Sequence, residues 1–200
     1  MARDLEPSRP LRGSALATRE ALIDVAERVF NEVGYDGTDS NQIARAAGYS
    51  PGTFYRHFED KRAIFIAAYF RHLKTDWDGL EKRLDALPDE ALELASGLVD
   101  GALAHHRQWR TFRASLRGLL GTDPEVRKGL RAARKQQLEL VARLRQRLGA
   151  RRKSPDEDLL FLLTLERACD ALAEGELEDA GASKRRFLEL LLERAQDYLG

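Results

Sequence analysis

Residues 38–58 read T-D-S-N-Q-I-A-R-A-A-G-Y-S-P-G-T-F-Y-R-H-F. The spacing predicts a short helix from about Thr38 to Ala47, broken at Gly48. Ser50 and Pro51 restart a helix, the serine hydroxyl as its cap and the proline at its first position, where a missing N–H costs nothing. Ile43, Ala44, Ala47, Tyr49 and Phe54 fall where they pack these two helices on each other and on a preceding one, and Ala44 is small, as a close crossing requires. Two short helices joined by a glycine-containing turn of about four residues make a helix-turn-helix.

Working outward, a helix begins near Thr18 and carries one apolar stripe through Leu22, Val25, Ala26, Val29, Phe30 and Val33, ending at Gly34. Downstream, Asp60 caps a long helix through Ile64, Phe65, Ala68, Tyr69, Leu73 and Trp77 that frays near Pro88. Helices follow over about 89–106, 107–120 and, after Asp123-Pro124, 123–148. Ser154-Pro155-Asp156-Glu157 is a start signal with serine cap, proline and a glutamate three residues on, opening a helix to about 174, and Ser183 starts the last one. No stretch alternates like a strand, and no repeat is present. The fold class expected is all-α.

The chain carries 33 basic and 33 acidic side chains, a balance that alone does not suggest a polyanionic partner. The distribution is uneven. Residues 1–60 hold 7 basic and 10 acidic side chains, yet Arg45, Arg56, Lys61 and Arg62 can share a positive face, with four of the acids, Glu20, Asp24, Glu27 and Glu32, on the first helix. Residues 105–153 hold 15 basic against 3 acidic, and residues 154–200 hold 5 against 12. Such a run is ordinarily a solvated face; if the basic stretch faces a cavity instead, the ligand is anionic. The single cysteine, Cys169, excludes an intrachain disulfide and a multi-thiolate metal site. No apolar run reaches the roughly 18 residues of a membrane span. The polar, proline-containing start of the chain lacks a signal-peptide core, so a cytoplasmic protein without a membrane partner is expected.

In a helix-turn-helix the second helix enters the major groove, and the side chains at its start meet base edges. Here these are Ser50, Pro51, Gly52 and Thr53, all small enough for close approach. Arg45 can read guanine or hold phosphate, and Tyr55, His57 and Lys61 are candidate phosphate contacts. The span from Thr18 to about Phe70 resembles the TetR family of transcriptional regulators: T-R-E-A-L-I-D-V-A through F-N-E-V-G-Y, then I-A-R-A-A-G-Y-S-P-G-T-F-Y-R-H-F-E-D-K. The resemblance implies about nine helices, a DNA-binding head made of the first three, a variable sensing body and dimerisation through the last two. It also implies DNA contacts at Thr38, Arg45, Pro51, Gly52, Thr53, Tyr55, His57 and Lys61, and favours repressor over activator. The chain departs from the family pattern at Ser40, usually aliphatic, and at Tyr49, commonly a small aliphatic.

The expected organisation is an arm at 1–14, a helix-turn-helix DNA-binding domain at 15–60 and a ligand-sensing and dimerisation domain at 61–200. A cavity between body helices would take apolar walls from Trp77, Trp109, Phe112, Leu116 and Leu120, and polar handles from His105, His106, Arg113, Glu166 and Arg167. Aromatic residues at helical spacing, Trp109 and Phe112 included, are more often plain core than ligand wall. His105 and His106 point about 100° apart on a helix and make a poor metal pair, so no metal or cofactor is expected. The helix at 156–174, with Leu159, Leu162 and Leu163, is apolar nearly all round, and the last helix, with Phe187, Leu191 and Tyr198, shares the excess. A second copy is the natural cover, giving a two-fold interface. The partners expected are a double-stranded operator of inverted-repeat form, a small-molecule effector and a second copy of the chain; the alternative is a DNA-binding adaptor or architectural regulator with no effector. There is no glycine-rich phosphate loop after a strand, no G-x-S-x-G and no H-E-x-x-H, and an enzyme is not expected.

Overall fold

The computed structural model describes residues 14–121 and 123–200. The arm expected over 1–14 lies outside the described residues except for Ser14, as does the side chain of Leu120. Ten helices and no strand occur among the described residues: α1 (Ala15–Val33), α2 (Ser40–Ala46), α3 (Pro51–Tyr55), α4 (Lys61–Asp85), α5 (Ala91–Gln108), α6 (Arg110–Leu120), α7 (Pro124–Arg147), α8 (Pro155–Glu174), α9 (Glu176–Asp179) and α10 (Lys184–Leu199). None of them is long and apolar enough to cross a membrane. Two compact units result. The first comprises residues up to Lys74 together with Thr111–Val126, and the second comprises Thr75–Arg110 and Arg127–Gly200.

The first unit is built on the α1 stripe, with Leu22, Ile23, Val25, Ala26, Val29 and Phe30 buried. α1 starts earlier than Thr18 because Ser14 caps it, its Oγ accepting from the Ala17 amide at 3.3 Å. Gly34 ends it at φ 75° and ψ 178°, a conformation essentially reserved for glycine. An aromatic cluster fills the centre. Phe65 stacks on Phe112 at 4.7 Å between centroids, Phe30 meets Phe65 edge-on at 4.9 Å, and Tyr69 stacks on Phe112 at 5.8 Å. Phe112 is fully buried there, so the first turns of α6 belong to this core.

Two charged arrangements brace the unit. Arg71 of α4 reaches three carboxylates along one side of α1, Glu20 at 3.1 Å, Asp24 at 2.7 Å and Glu27 at 2.8 Å. Asp123 caps α7, accepting from the amides of Glu125 at 2.9 Å and Val126 at 3.2 Å, while Arg62 donates to it through two nitrogens. Those Arg62 hydrogen bonds, with the two amides, hold the Asp123 carboxyl at a pKa of about 2 against the opposing cost of burial.

The second unit packs Leu80 and Leu84 of α4 with Leu94, Leu98, Leu140, Leu144, Leu165 and Leu172. Two glycines on α5 admit Leu80 of α4 and Leu87, two residues beyond its end, closer than an added side chain would allow without their shifting. A Cβ on Gly97 would meet Leu87 Cδ1 at 2.6 Å, and one on Gly101 would meet Leu80 Cδ1 at 2.4 Å. The start of α8 is a capping box, in which the Ser154 hydroxyl and the Glu157 carboxylate serve each other's backbone amides. Gly175, at φ 86°, ends α8, and the single turn α9 follows, an element with no periodic signal in the sequence.

Candidate nucleic-acid interface

The helix-turn-helix is assembled by local hydrogen bonds that the sequence encodes within a few residues. Asp39, rather than Thr38, caps α2. Its carboxylate accepts from the Gln42 amide at 2.8 Å, and its own amide donates to Gln42 Oε1 at 3.3 Å. Thr38, buried just before the cap, donates its hydroxyl to the same Gln42 oxygen at 3.0 Å. Gly48, at φ 76°, turns the chain, and the Tyr49 amide returns to the Ala44 carbonyl at 2.9 Å. Ser50 then caps α3, its Oγ accepting from the Thr53 amide at 3.2 Å and lying 3.0 Å from the Thr53 hydroxyl. Ile43, Ala44, Ala47 and Phe54 are buried beneath these turns. Ser40, the departure on α2, is buried at its first position, and Tyr49 is half-buried.

Above this small core most of the sequence-selected residues come to the surface, whereas Thr38 stays buried. Ser50, Pro51 and Gly52 are exposed, Thr53 and His57 are half-buried, and Tyr55 is 53% exposed with its ring edge-on to Phe54 at 5.3 Å. Arg45 is exposed and has no hydrogen-bond or ion-pair partner among the described residues. Gly52 is in open space. A Cβ added to it would find only Ser50 Oγ, at 3.9 Å, and its φ lies outside the left-handed region. Nothing among the described residues therefore calls for glycine at this position.

Lys61 differs from its neighbours. Its ammonium donates to the carbonyls of Tyr35 at 2.7 Å and Thr38 at 3.0 Å, and stands 4.1 Å from the Tyr35 ring centroid. Ser115, outside the set chosen from sequence, accepts from the Tyr35 amide at 3.0 Å. A serine within an amphipathic helix carries no local signal of such a role. Burial, followed by the charge of Asp60, raises the pKa of the Tyr35 hydroxyl.

The residues expected around a sensing cavity divide between the units. Phe112, Arg113 and Leu116 belong to the first, where Phe112 and Leu116 are buried; Trp77, Trp109 and Glu166 belong to the second. Glu166 accepts from Arg134 Nη2 at 2.8 Å and from Gln137 Nε2 at 3.3 Å. His105 pairs with Asp76 at 2.8 Å and His106 with Asp170 at 2.7 Å, and Arg167 lies 2.5 Å from Glu176. Of the basic stretch, Arg107, Arg110, Lys128, Arg131, Lys135, Arg151 and Arg152 are exposed.

The residues expected at a two-fold interface also separate. Leu162 and Leu191 sit in the second unit's own core, Leu159 and Phe187 are half-buried, and Leu163 is 48% exposed. Tyr198 stacks on Phe161 at 4.2 Å and donates its hydroxyl to Asp158 at 2.6 Å. Leu160, at 67% exposed, and Leu190 extend the uncovered apolar surface. Beside it an open groove of about 520 Å³ is lined by Leu163, Thr164, Arg167, Ala168, Ala171 and Phe187.

Comparison with known proteins bears on this geometry. The model of the tetR family of bacterial regulatory proteins matches residues 22–68, from within α1 to within α4. Over 58 residues the chain is 40% identical to the HTH-type transcriptional regulator AcrR of Shigella flexneri, covering 29% of this chain and 27% of that one. Over 111 residues it is 30% identical to the tetracycline repressor protein class D of Escherichia coli, covering 56% of this chain and 48% of the relative. The chain thus spans between about a quarter and about half the length of these relatives. A Saccharomonospora viridis protein, assigned as a transcriptional regulator and solved in complex with choline, shares the fold with a TM-score of 0.71. The identity is 20%, over 92% of this chain and 96% of that one. The matched model lies on the helix-turn-helix described above, and over residues 22–68 the chain is similar to the tetR family of bacterial regulatory proteins.

Proposed function

We propose that this chain is a cytoplasmic, ligand-responsive transcriptional repressor that binds an inverted-repeat operator as a dimer and is released by a small-molecule effector. The observation that carries the DNA-binding part is Gly52. A glycine in a helix costs roughly 0.5–1 kcal/mol relative to alanine. Here the protein's own packing would accept a side chain. Close approach of an outside surface, the floor of a major groove, accounts for it. Around it Arg45, Ser50, Pro51 and Thr53 are the base-reading set, with Tyr55 and His57 toward the phosphates, while Thr38, buried with its hydroxyl on Gln42, braces the start of α2.

Support for the dimer comes from the exposed Leu160, Leu163 and Leu190 beside the groove on α8 and α10. A two-fold axis would let that surface cover itself. The effector would be held in the second unit. There Trp77 Nε1 and Arg134 Nη1 are buried without partners among the described residues, next to the pairing of Arg134 with Glu166. An effector acts only by binding the DNA-competent and incompetent states unequally.

The test is selection of duplexes from a random pool by the full-length chain, followed by titration of the Arg45→Ala variant. Enriched duplexes should contain an inverted repeat with half-sites about one helical turn apart, or a multiple of it. Arg45→Ala should cost roughly 1–3 kcal/mol on the selected duplex and less on unrelated DNA. Absence of enrichment, or a wild-type chain that sediments as a monomer at micromolar concentration, would remove the reading.

A further inference from the structure

The residue type and place of Lys61 suit a phosphate contact, but its ammonium is already engaged. Two of its three donors go to the carbonyls of Tyr35 and Thr38, at 2.7 and 3.0 Å, and the charge rests 4.1 Å from the Tyr35 ring centroid. The other end of the same residue is held as well. The Tyr35 amide donates to Ser115 Oγ at 3.0 Å, and Ser115 Oγ donates to the Thr111 carbonyl at 3.1 Å. Tyr35 is therefore clamped by side chains 26 and 80 positions away in sequence.

The clamped segment has little freedom of its own. Gly34 has φ 75°, with Ser115 Oγ 3.4 Å from where its Cβ would stand, and a Cβ on Gly37 would lie 2.2 Å from the Val33 carbonyl oxygen. The segment ends at Thr38 and the Asp39 cap, where the hydrogen bonds of Thr38, Asp39 and Gln42 begin α2. Fixing residues 35–38 thus fixes where α2 starts, and with it the place of Thr38 and Arg45.

We propose that Lys61 and Ser115 are positioning residues for DNA recognition, which set the turn of residues 35–38 and the start of α2, and that Lys61 acts through this turn rather than as a phosphate contact. The proposal rests on the DNA-binding reading above. It also separates lysine from arginine. A compact ammonium reaches two carbonyls that diverge around it, whereas a planar guanidinium presents its donors in a fixed fork. Lys61→Arg keeps the charge and should lose the clamp.

The experiment uses full-length wild type, Lys61→Met, Lys61→Arg and Ser115→Ala. Each is titrated, at several salt concentrations, on a duplex that the wild type selects from a random pool and on an unrelated duplex of equal length. Amide hydrogen exchange is followed in parallel. All three variants should bind the selected duplex roughly five- to thirtyfold more weakly and the unrelated duplex nearly as before. Their salt dependence should match wild type, and exchange should speed up over residues 34–42 while the rest of the chain is unchanged. The proposal is overturned if Lys61→Met weakens both duplexes alike and lowers the slope of log K against log salt by about 0.9, while Lys61→Arg binds like wild type and exchange is unaltered. A pool without enrichment would remove the DNA-binding reading. Unchanged exchange over 34–42 would still overturn the clamp independently.

Discussion

Replacing Gly52 by alanine should move stability and DNA binding in opposite directions. The added Cβ meets nothing closer than Ser50 Oγ at 3.9 Å, an ordinary contact, and the backbone there is not left-handed. Alanine restricts the unfolded chain and favours helix, a gain of about 0.5–1 kcal/mol. In a chain of this size that raises the midpoint of thermal unfolding by roughly 1–4 °C. Against DNA the same methyl occupies the closest point of approach. Overfilling a well-packed contact costs about 1–3 kcal/mol, or roughly 5- to 150-fold in affinity. Thermal unfolding and anisotropy titration on a selected duplex, performed on one preparation, measure both. Unchanged affinity in a normally folded variant would refute the close-approach argument. A lowered unfolding midpoint would mean that Gly52 serves the fold.

Asp123 should give a sign-defined acid response. Its pKa is held at about 2 in the fold, below the roughly 3.9 of an unfolded aspartate, so its contribution is present above about pH 4 and disappears as pH falls through about 2. Urea unfolding across that window should show a shallower loss for Asp123→Asn than for wild type. On α8, Leu163→Arg should leave the fold within about 0.5 kcal/mol of wild type while sedimentation shifts to monomer. Leu162→Arg, buried in the core, should unfold the second unit instead; equal stability of the two variants would contradict the burial pattern. Phe112→Ala should cost about 3–5 kcal/mol, because its ring is enclosed by Phe30, Phe65 and Tyr69; a loss under about 1 kcal/mol would show a yielding core.

The helix-turn-helix was legible because its determinants are short-range. The Ser50 cap, Pro51, Gly48 and the Asp39–Gln42 pair each act within about four residues, the reach of a helical turn. The same holds for Ser154 with Glu157. Other features depend on partners far along the chain, of which composition and spacing carry no trace. The Ser115 contact joins residues 80 positions apart, and the Arg62–Asp123 pair residues 61 apart. For Phe112 spacing only leans toward core over cavity wall, and the rings of α1 and α4 around it decide. In α8, apolar residues on every face remove the periodicity that would separate an inward Leu162 from an outward Leu163. The start of α1 was misplaced because two hydroxyl residues, Ser14 and Thr18, both suit a cap, and the earlier one takes the role.

The two α5 glycines carry a consequence for motion. Leu80 Cδ1, on α4, and Leu87 Cδ1, beyond its end, occupy notches that even a methyl would fill, so the seam between α5 and the segment of residues 80–87 works like a mortise joint. To slide, a leucine must first climb out over a neighbouring side chain; to separate, the pair must open a void in a close-packed interior. Movement of α5 along this seam therefore has to carry the two leucines with it or displace them. Gly97→Ala or Gly101→Ala would push Leu87 or Leu80 out of its notch, the second also bringing a methyl to 3.6 Å from Arg83 Nη2.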